Sequence, residues 1–217
     1  MKPKTTKKQL TQKYLLFIII SISLFYLMSC QKEPSRTTSV KIVYTDIIPD
    51  TIVVTIGTTP IYNLDLDKDG VYDFTFKCTY GRTQCRPTGG YGFKIYIEVE
   101  PADNSFNEIL NVVYPALPDT VPAALDTLNE IGSVSGEWLS SPSQLLRYEN
   151  SCCCDRGDYF FDNNDKYLGL KLVKGGQAFY GWARLNGKIG WDGTPLLLKD
   201  YAYNSSPNEF ILAGQTK

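Results

Sequence analysis

The sequence predicts an all-β fold, a single β-sandwich-like domain over residues 39–217 that follows a leader and a short tether. Three observations carry this expectation. Apolar residues recur with period two in short runs, as they do in strands with one buried face. Those runs are bounded by Gly, Pro, Asn and Asp turn signals. Helix-like patterning is confined to residues 123–131, enough for one or two turns. No fixed-period repeat is visible, which argues against a propeller or a solenoid.

In chain order, residues 40–44 form a short strand rich in β-branched side chains, interrupted by Ile47-Ile48-Pro49-Asp50. Residues 51–56 alternate Ile52, Val54 and Ile56 against Thr51, Val53 and Thr55, and residues 57–60 are a turn. Ile61, Leu64 and Leu66 lead into an acidic loop. Beyond it Tyr72, Phe74, Phe76 and Cys78 share one strand face, with Asp73, Thr75 and Lys77 on the other. Residues 81–91 read as loop. Phe93, Ile95, Ile97 and Val99 alternate with Lys94, Tyr96, Glu98 and Glu100, a strand with one wet face. Residues 106–114 are β-like, residues 115–122 break the run, and residues 132–143 form a loop around Trp138. Residues 167–173 and 178–185 make a hairpin across Lys174-Gly175-Gly176, whose second arm sets Tyr180, Trp182 and Arg184 opposite Phe179, Gly181, Ala183 and Leu185. Asn186-Gly187 signals a tight turn, and residues 196–203 and 210–213 supply the last strands.

The start of the chain is a targeting segment. Lys2, Lys4, Lys7, Lys8 and Lys13 precede an apolar run over residues 14–28, the length of a signal-peptide core and short for a membrane span. It ends in Leu27-Met28-Ser29-Cys30, which resembles the lipobox of bacterial lipoproteins, with Met28 bulkier than the usual residue. The resemblance implies that residues 1–29 are a cleaved signal peptide. Cys30 would then be the new N-terminus, carrying palmitate-type acyl chains, and residues 30–38 would be a flexible tether. Gln31-Lys32-Glu33 is similar to the polar signal that sends some lipoproteins to the outer face of the outer membrane; an ordinary hydrophilic tether is the alternative. Two or more acyl chains anchor a protein stably without a transmembrane helix. Removing the five leader lysines from 22 Lys+Arg leaves 17 against 23 Asp+Glu, a net of −6. A mildly acidic chain with no basic run is a poor nucleic-acid binder. The chain also has no histidine. That excludes Ser-His-Asp and Cys-His catalysis and histidine-ligated zinc.

The most informative stretch is Asp65-Leu66-Asp67-Lys68-Asp69-Gly70-Val71-Tyr72-Asp73. Four carboxylates in one short loop repel one another unless a cation or solvent relieves them, and oxygen-only ligands suit Ca²⁺. A polar surface turn is the plainer alternative, since Asp and Gly are common in turns. The loop is not an EF-hand, because the position that would carry its bidentate acid is Phe76. The spacing resembles the β-hairpin calcium loops of FG-GAP repeats. That resemblance implies side-chain ligands Asp65, Asp67, Asp69 and Asp73, the backbone carbonyl of Val71, and a positive-φ bend at Gly70. A structural calcium ion is therefore expected. A second resemblance rests on Phe179-Tyr180-Gly181-Trp182-Ala183-Arg184-Leu185, Asp200-Tyr201-Ala202-Tyr203 and Ile211-Leu212-Ala213-Gly214. These look like the ending of a group of secreted bacterial β proteins of unknown function, and they imply no activity.

An exported chain meets an oxidising compartment, so disulfides are expected among Cys78, Cys85, Cys152, Cys153 and Cys154. Cys78 and Cys85 would pair with the triplet or with each other. Five is odd, so at least one thiol is left unpaired or pairs with another chain. Three consecutive cysteines lack the spacing of a Cys₄ zinc site, and Arg156-Gly157-Asp158, an integrin-type tripeptide, reads as an ordinary turn, with adhesion the lesser alternative. Tyr180, Trp182 and Trp191 are candidates for stacking on a sugar, with core packing as the alternative. Glu98, Glu100 and Glu137 are the carboxylates available for glycoside hydrolysis, but no spacing singles out a pair. The expected function is a lipid-anchored surface protein with a structural calcium site, a non-catalytic binding or adhesion module for a glycan or a surface protein. A glycan hydrolase and a purely structural envelope component are the alternatives.

Overall fold

The structure is a computed structural model that describes residues 41–54, 61–84, 91–103, 105–113, 120–151, 154–156, 164–187 and 196–217. The expected leader, Cys30 and its tether, the turn at 57–60, Cys85, Cys152, Cys153, Gly157-Asp158 and Trp191 lie outside the described residues. Of Cys154 only the backbone is described.

The described residues form strands and no helix. In order these are β1 (Ile42–Val54), β2 (Ile61–Leu64), β3 (Phe74–Gln84), β4 (Tyr91–Pro101), β5 (Glu108–Val113), β6 (Thr120–Pro122), β7 (Ala124–Leu125) and β8 (Glu130–Ile131). They continue as β9 (Glu137–Leu139), β10 (Ser143–Ser151), β11 (Cys154–Arg156), β12 (Lys166–Lys174), β13 (Gln177–Asn186), β14 (Leu196–Asn204) and β15 (Ile211–Leu212). The larger sheet runs β1-β14-β13-β12-β5-β6, with β7 added to β12 and β9 to β5. The smaller runs β11-β10-β4-β3-β2. Every pairing is antiparallel.

The alternation read from sequence builds the core between these two sheets. Phe74, Phe76, Cys78, Ile95, Ile97 and Val99 of the smaller sheet meet Val53, Leu168, Leu170, Leu172, Ala183, Leu185, Leu196 and Leu198 of the larger in one buried cluster. This is a sandwich, the all-β architecture expected. The β12–β13 hairpin pairs Lys174 with Gln177 across Gly175 and Gly176, both at positive φ. That left-handed pair suits a two-residue turn matched to strand twist.

The larger sheet is covered on its other face too. β8 and β15 pair as a small ribbon. Ile131, Ile211 and Ala213 pack there with Tyr167, Tyr180, Trp182 and Ala202 as a second buried cluster. β13 is therefore sandwiched, which is why Trp182 on one face and Leu185 on the other are both buried. At Gly181 the packing leaves no room for a side chain: a Cβ would lie 2.7 Å from the Ala202 carbonyl oxygen and 3.1 Å from Leu66 Cδ2.

Four local expectations are corrected. Residues 123–131 are not helical. Ala123 donates its N–H to the Leu110 carbonyl, Ala124 and Leu125 pair with β12, and Leu128 at φ 71° turns the chain into β8; tertiary pairing overrides a weak local preference. The break at Ile47–Asp50 is absorbed within a continuous β1, where the register slips between Asp46 and Thr51. β1 ends its sheet, the position at which a strand tolerates proline. The loop read at 81–91 is shorter, because β3 extends to Gln84. The loop read at 132–143 contains β9, which pairs with β5.

Candidate metal centre

The acidic loop joins β2 to β3 and is clamped at both ends. Asp73 N–H donates to the Leu64 carbonyl at 2.8 Å, and Leu66 N–H donates to Asp73 Oδ2 at 2.8 Å. Leu64, Leu66 and Phe74 are buried in the main core, so apolar packing fixes the ends while the acids ride between them. Within the loop Asp65 accepts from the N–H groups of Asp69 at 3.2 Å and Gly70 at 2.9 Å, and Asp69 Oδ1 accepts from Val71 N–H at 2.9 Å. Gly70 sits at φ 90°, a conformation that only glycine adopts without strain. Tyr72, expected on the core face, is exposed because the strand begins only at Phe74.

Carboxylate oxygens of Asp65, Asp67 and Asp73 lie within 4.8 Å of one another. This cluster of three aspartates could hold a metal ion. Asp73 is 3% exposed, and burial first, then the negative neighbours Asp67 and Asp65, push its carboxyl up to about 6 against the opposing Leu66 N–H bond. Asp67 Oδ1 is buried without a hydrogen-bond partner. A buried acceptor left bare costs on the order of 1–3 kcal/mol, a cost that a bound cation would relieve.

Two residues that sequence reading missed complete the surroundings. Asn107 is buried beneath the loop. Its Nδ2 lies 3.3 Å from the Asp73 carbonyl and 3.4 Å from Asp73 Oδ1, and its Oδ1 accepts from Val173 N–H at 2.9 Å. Lys174, at the end of β12, bonds Asp67 Oδ2 and also Asp69 Oδ2 at 2.6 Å. Burial disfavours the Lys174 charge, but the bonds to Asp67 and Asp69 outweigh it and hold the ammonium above the usual lysine range. The Lys174 bond first, then the Val71 N–H, draws the Asp69 carboxyl below its ordinary value. Asp69 is thus turned to the lysine, while the other three acids face one another. Lys174 stands 105 residues from Asp69, and nothing in its local sequence marks the contact. A cleft of about 340 Å³ opens beside it, lined by Asp67, Lys174, Gln177, Phe179, Tyr203 and Ser205.

The aromatic candidates are corrected. Trp182 is 1% and Tyr180 4% exposed, so neither offers a stacking surface. Trp182 meets Tyr167 edge-on at 5.2 Å, and Tyr180 lies 5.5 Å from Trp138. These rings form the core beneath the β8–β15 ribbon. Cys78 is a free thiol buried on the core face of β3, so the bridge expected from it is not formed here. Cys78 pairs in register with Ile97 of β4, and both belong to the main buried cluster. Glu98 and Glu100 stand on β4 of the smaller sheet and Glu137 on β9 of the larger. Glu100 is paired with Lys77.

Comparison of the chain with family models, curated proteins and solved structures finds no match to any of them.

Proposed function

We propose that this protein is a calcium-stabilised β-sandwich displayed at the cell surface, anchored through lipid on Cys30, and that it binds a partner rather than transforming a substrate. The observation that carries the reading is the convergence of Asp65, Asp67 and Asp73 with a bare, buried oxygen on Asp67. The donor set is all oxygen, which suits a hard cation. Asp65, Asp67, Asp69 and Asp73, with the Val71 carbonyl, would hold the ion; bound there, it would neutralise the loop and lock the entry to β3. Loops of this class in extracellular modules bind at roughly 10⁻⁴–10⁻³ M, a range in which calcium is available outside cells. The leader and lipobox-like segment agree with that address.

Binding is favoured over hydrolysis because the available glutamates are spread over two sheets and one is already paired. The partner would be a surface protein or a glycan, recognised elsewhere than at Tyr180 and Trp182. Thermal unfolding of the full chain tests the ion claim. Chelator should lower the melting temperature and excess calcium restore it, while Asp67→Ala combined with Asp69→Ala should show no response to calcium. An identical melting curve for the wild-type chain in chelator and in millimolar calcium would overturn the reading.

A further inference from the structure

Lys174 ends β12 at the mouth of the Gly175-Gly176 turn, and its ammonium bonds two of the four carboxylates that the loop offers an ion. An ammonium and a divalent cation repel strongly over the few ångströms that separate neighbouring ligand positions. Both cannot sit on Asp67 and Asp69 together. We propose that Lys174 is a displaceable internal counter-ion: it bridges Asp67 and Asp69 in the metal-free protein, and a divalent cation expels it and takes Asp69 as a further ligand. This rests on the ion-binding reading above and adds the residue that sets its affinity.

Three features of the geometry support it. Asp65, Asp67 and Asp73 already converge without Asp69, so the ion needs only one more carboxylate to swing in. Lys174 satisfies only half of Asp67, leaving Oδ1 buried and bare. The lysine side chain is 37% exposed and borders the cleft formed with Gln177, Phe179, Tyr203 and Ser205, so the ammonium has somewhere to go. Asn107 meanwhile fastens Asp73 to Val173, the residue before Lys174. The loop is therefore tied to the β12–β13 hairpin by one neutral contact that an ion can leave in place and one ionic contact that it must break. In this arrangement the lysine keeps the loop folded before metal arrives and lowers the affinity for metal once it does.

Calcium titration calorimetry on the full chain tests this with two variants. Lys174→Met removes the competitor and keeps the aliphatic stem. Lys68→Gln removes an equal charge from an exposed position in the same loop. Two partly exposed ion pairs of ordinary strength amount together to a factor of about ten. Calcium should therefore bind Lys174→Met about tenfold more tightly than wild type, and Lys68→Gln within about twofold of it. Amine acylation followed by mass spectrometry supplies a readout that charge alone would not move: Lys174 should be labelled faster in calcium than in chelator. Binding to Lys174→Met but not to wild type overturns the ion-binding reading of the natural chain, and the proposal with it. Equal or weaker binding by Lys174→Met, or labelling of Lys174 that calcium leaves unchanged, overturns it while the ion site stands. Absence of calcium binding by wild type and by Lys174→Met overturns both.

Discussion

The molecule treats aspartates in two opposite ways. At the acidic loop, Asp65, Asp67 and Asp73 are gathered together with Lys174 at their rim. On the outer face of the larger sheet, Asp165 and Asp200 are surrounded by donors. Arg184 holds Asp200 through Nε at 2.8 Å and a terminal nitrogen at 2.6 Å, and the Tyr44 hydroxyl donates to it at 2.9 Å. Asp165 accepts from Asn186 and Lys199 and lies 3.4 Å from Arg184. Burial works against ionisation of Asp165, but its bonds to Asn186 and Lys199 outweigh that and hold its carboxyl below the ordinary range. In one region the chain supplies its own counter-charges. In the other it supplies the carboxylates and leaves an oxygen bare. The outer network is complete as it stands; the loop leaves Asp67 Oδ1 without a partner, and on the proposed reading an ion would complete it.

The comparison can be broken or sharpened by experiment. The largest effect should come from Arg184→Ala. It strands the nearly buried Asp200, and losing one partner of such a pair costs about 3 kcal/mol. Urea unfolding should show that loss undiminished by calcium. Calcium itself is next. At one hundred times its dissociation constant an ion stabilises the fold by about 2.7 kcal/mol. Wild type and Arg184→Ala should both gain this, whereas Asp67→Ala with Asp69→Ala should gain nothing. A calcium gain lost in Arg184→Ala would mean that the two networks are not independent.

The third test is pH. The folded value of Asp73, about 6, lies above its unfolded value near 4, so the neutral carboxyl favours the fold. Its contribution is intact below about pH 4 and is lost as pH rises through about 6, a change of at most about 2.7 kcal/mol. Metal-free protein should therefore lose stability across that window, and calcium, which on the proposed reading would bind the carboxylate, should stabilise most above it. A calcium effect that does not grow with pH would contradict this. The smallest effect is expected from Lys77→Ala. It removes a partly exposed pair with Glu100 and should cost less than about 1 kcal/mol in either buffer, a baseline against which both networks can be judged.

Much of this was legible in the sequence, and the gaps have physical causes. Period-two alternation placed Phe74, Phe76, Ile95, Ile97 and Val99 in the core, and the Gly175-Gly176 pair announced the hairpin. The acid spacing marked the loop and the bend at Gly70. Trp182 was ambiguous because alternation assigns a face without saying what covers it; the covering ribbon comes from residues 130–131 and 211–212, distant from it in sequence. The helix expected at 123–131 failed because short segments take their structure from the strands they meet. Lys174 and Asn107 were invisible for the same reason, since their roles exist only after the sheets have folded together.

The distinction between the two networks predicts a stoichiometry, and titration calorimetry of the full chain with calcium measures it directly. The expected result is one calcium ion per chain, abolished by Asp67→Ala with Asp69→Ala and unchanged by Asp165→Asn. No binding by wild type, or binding that survives loss of Asp67 and Asp69, would contradict the account.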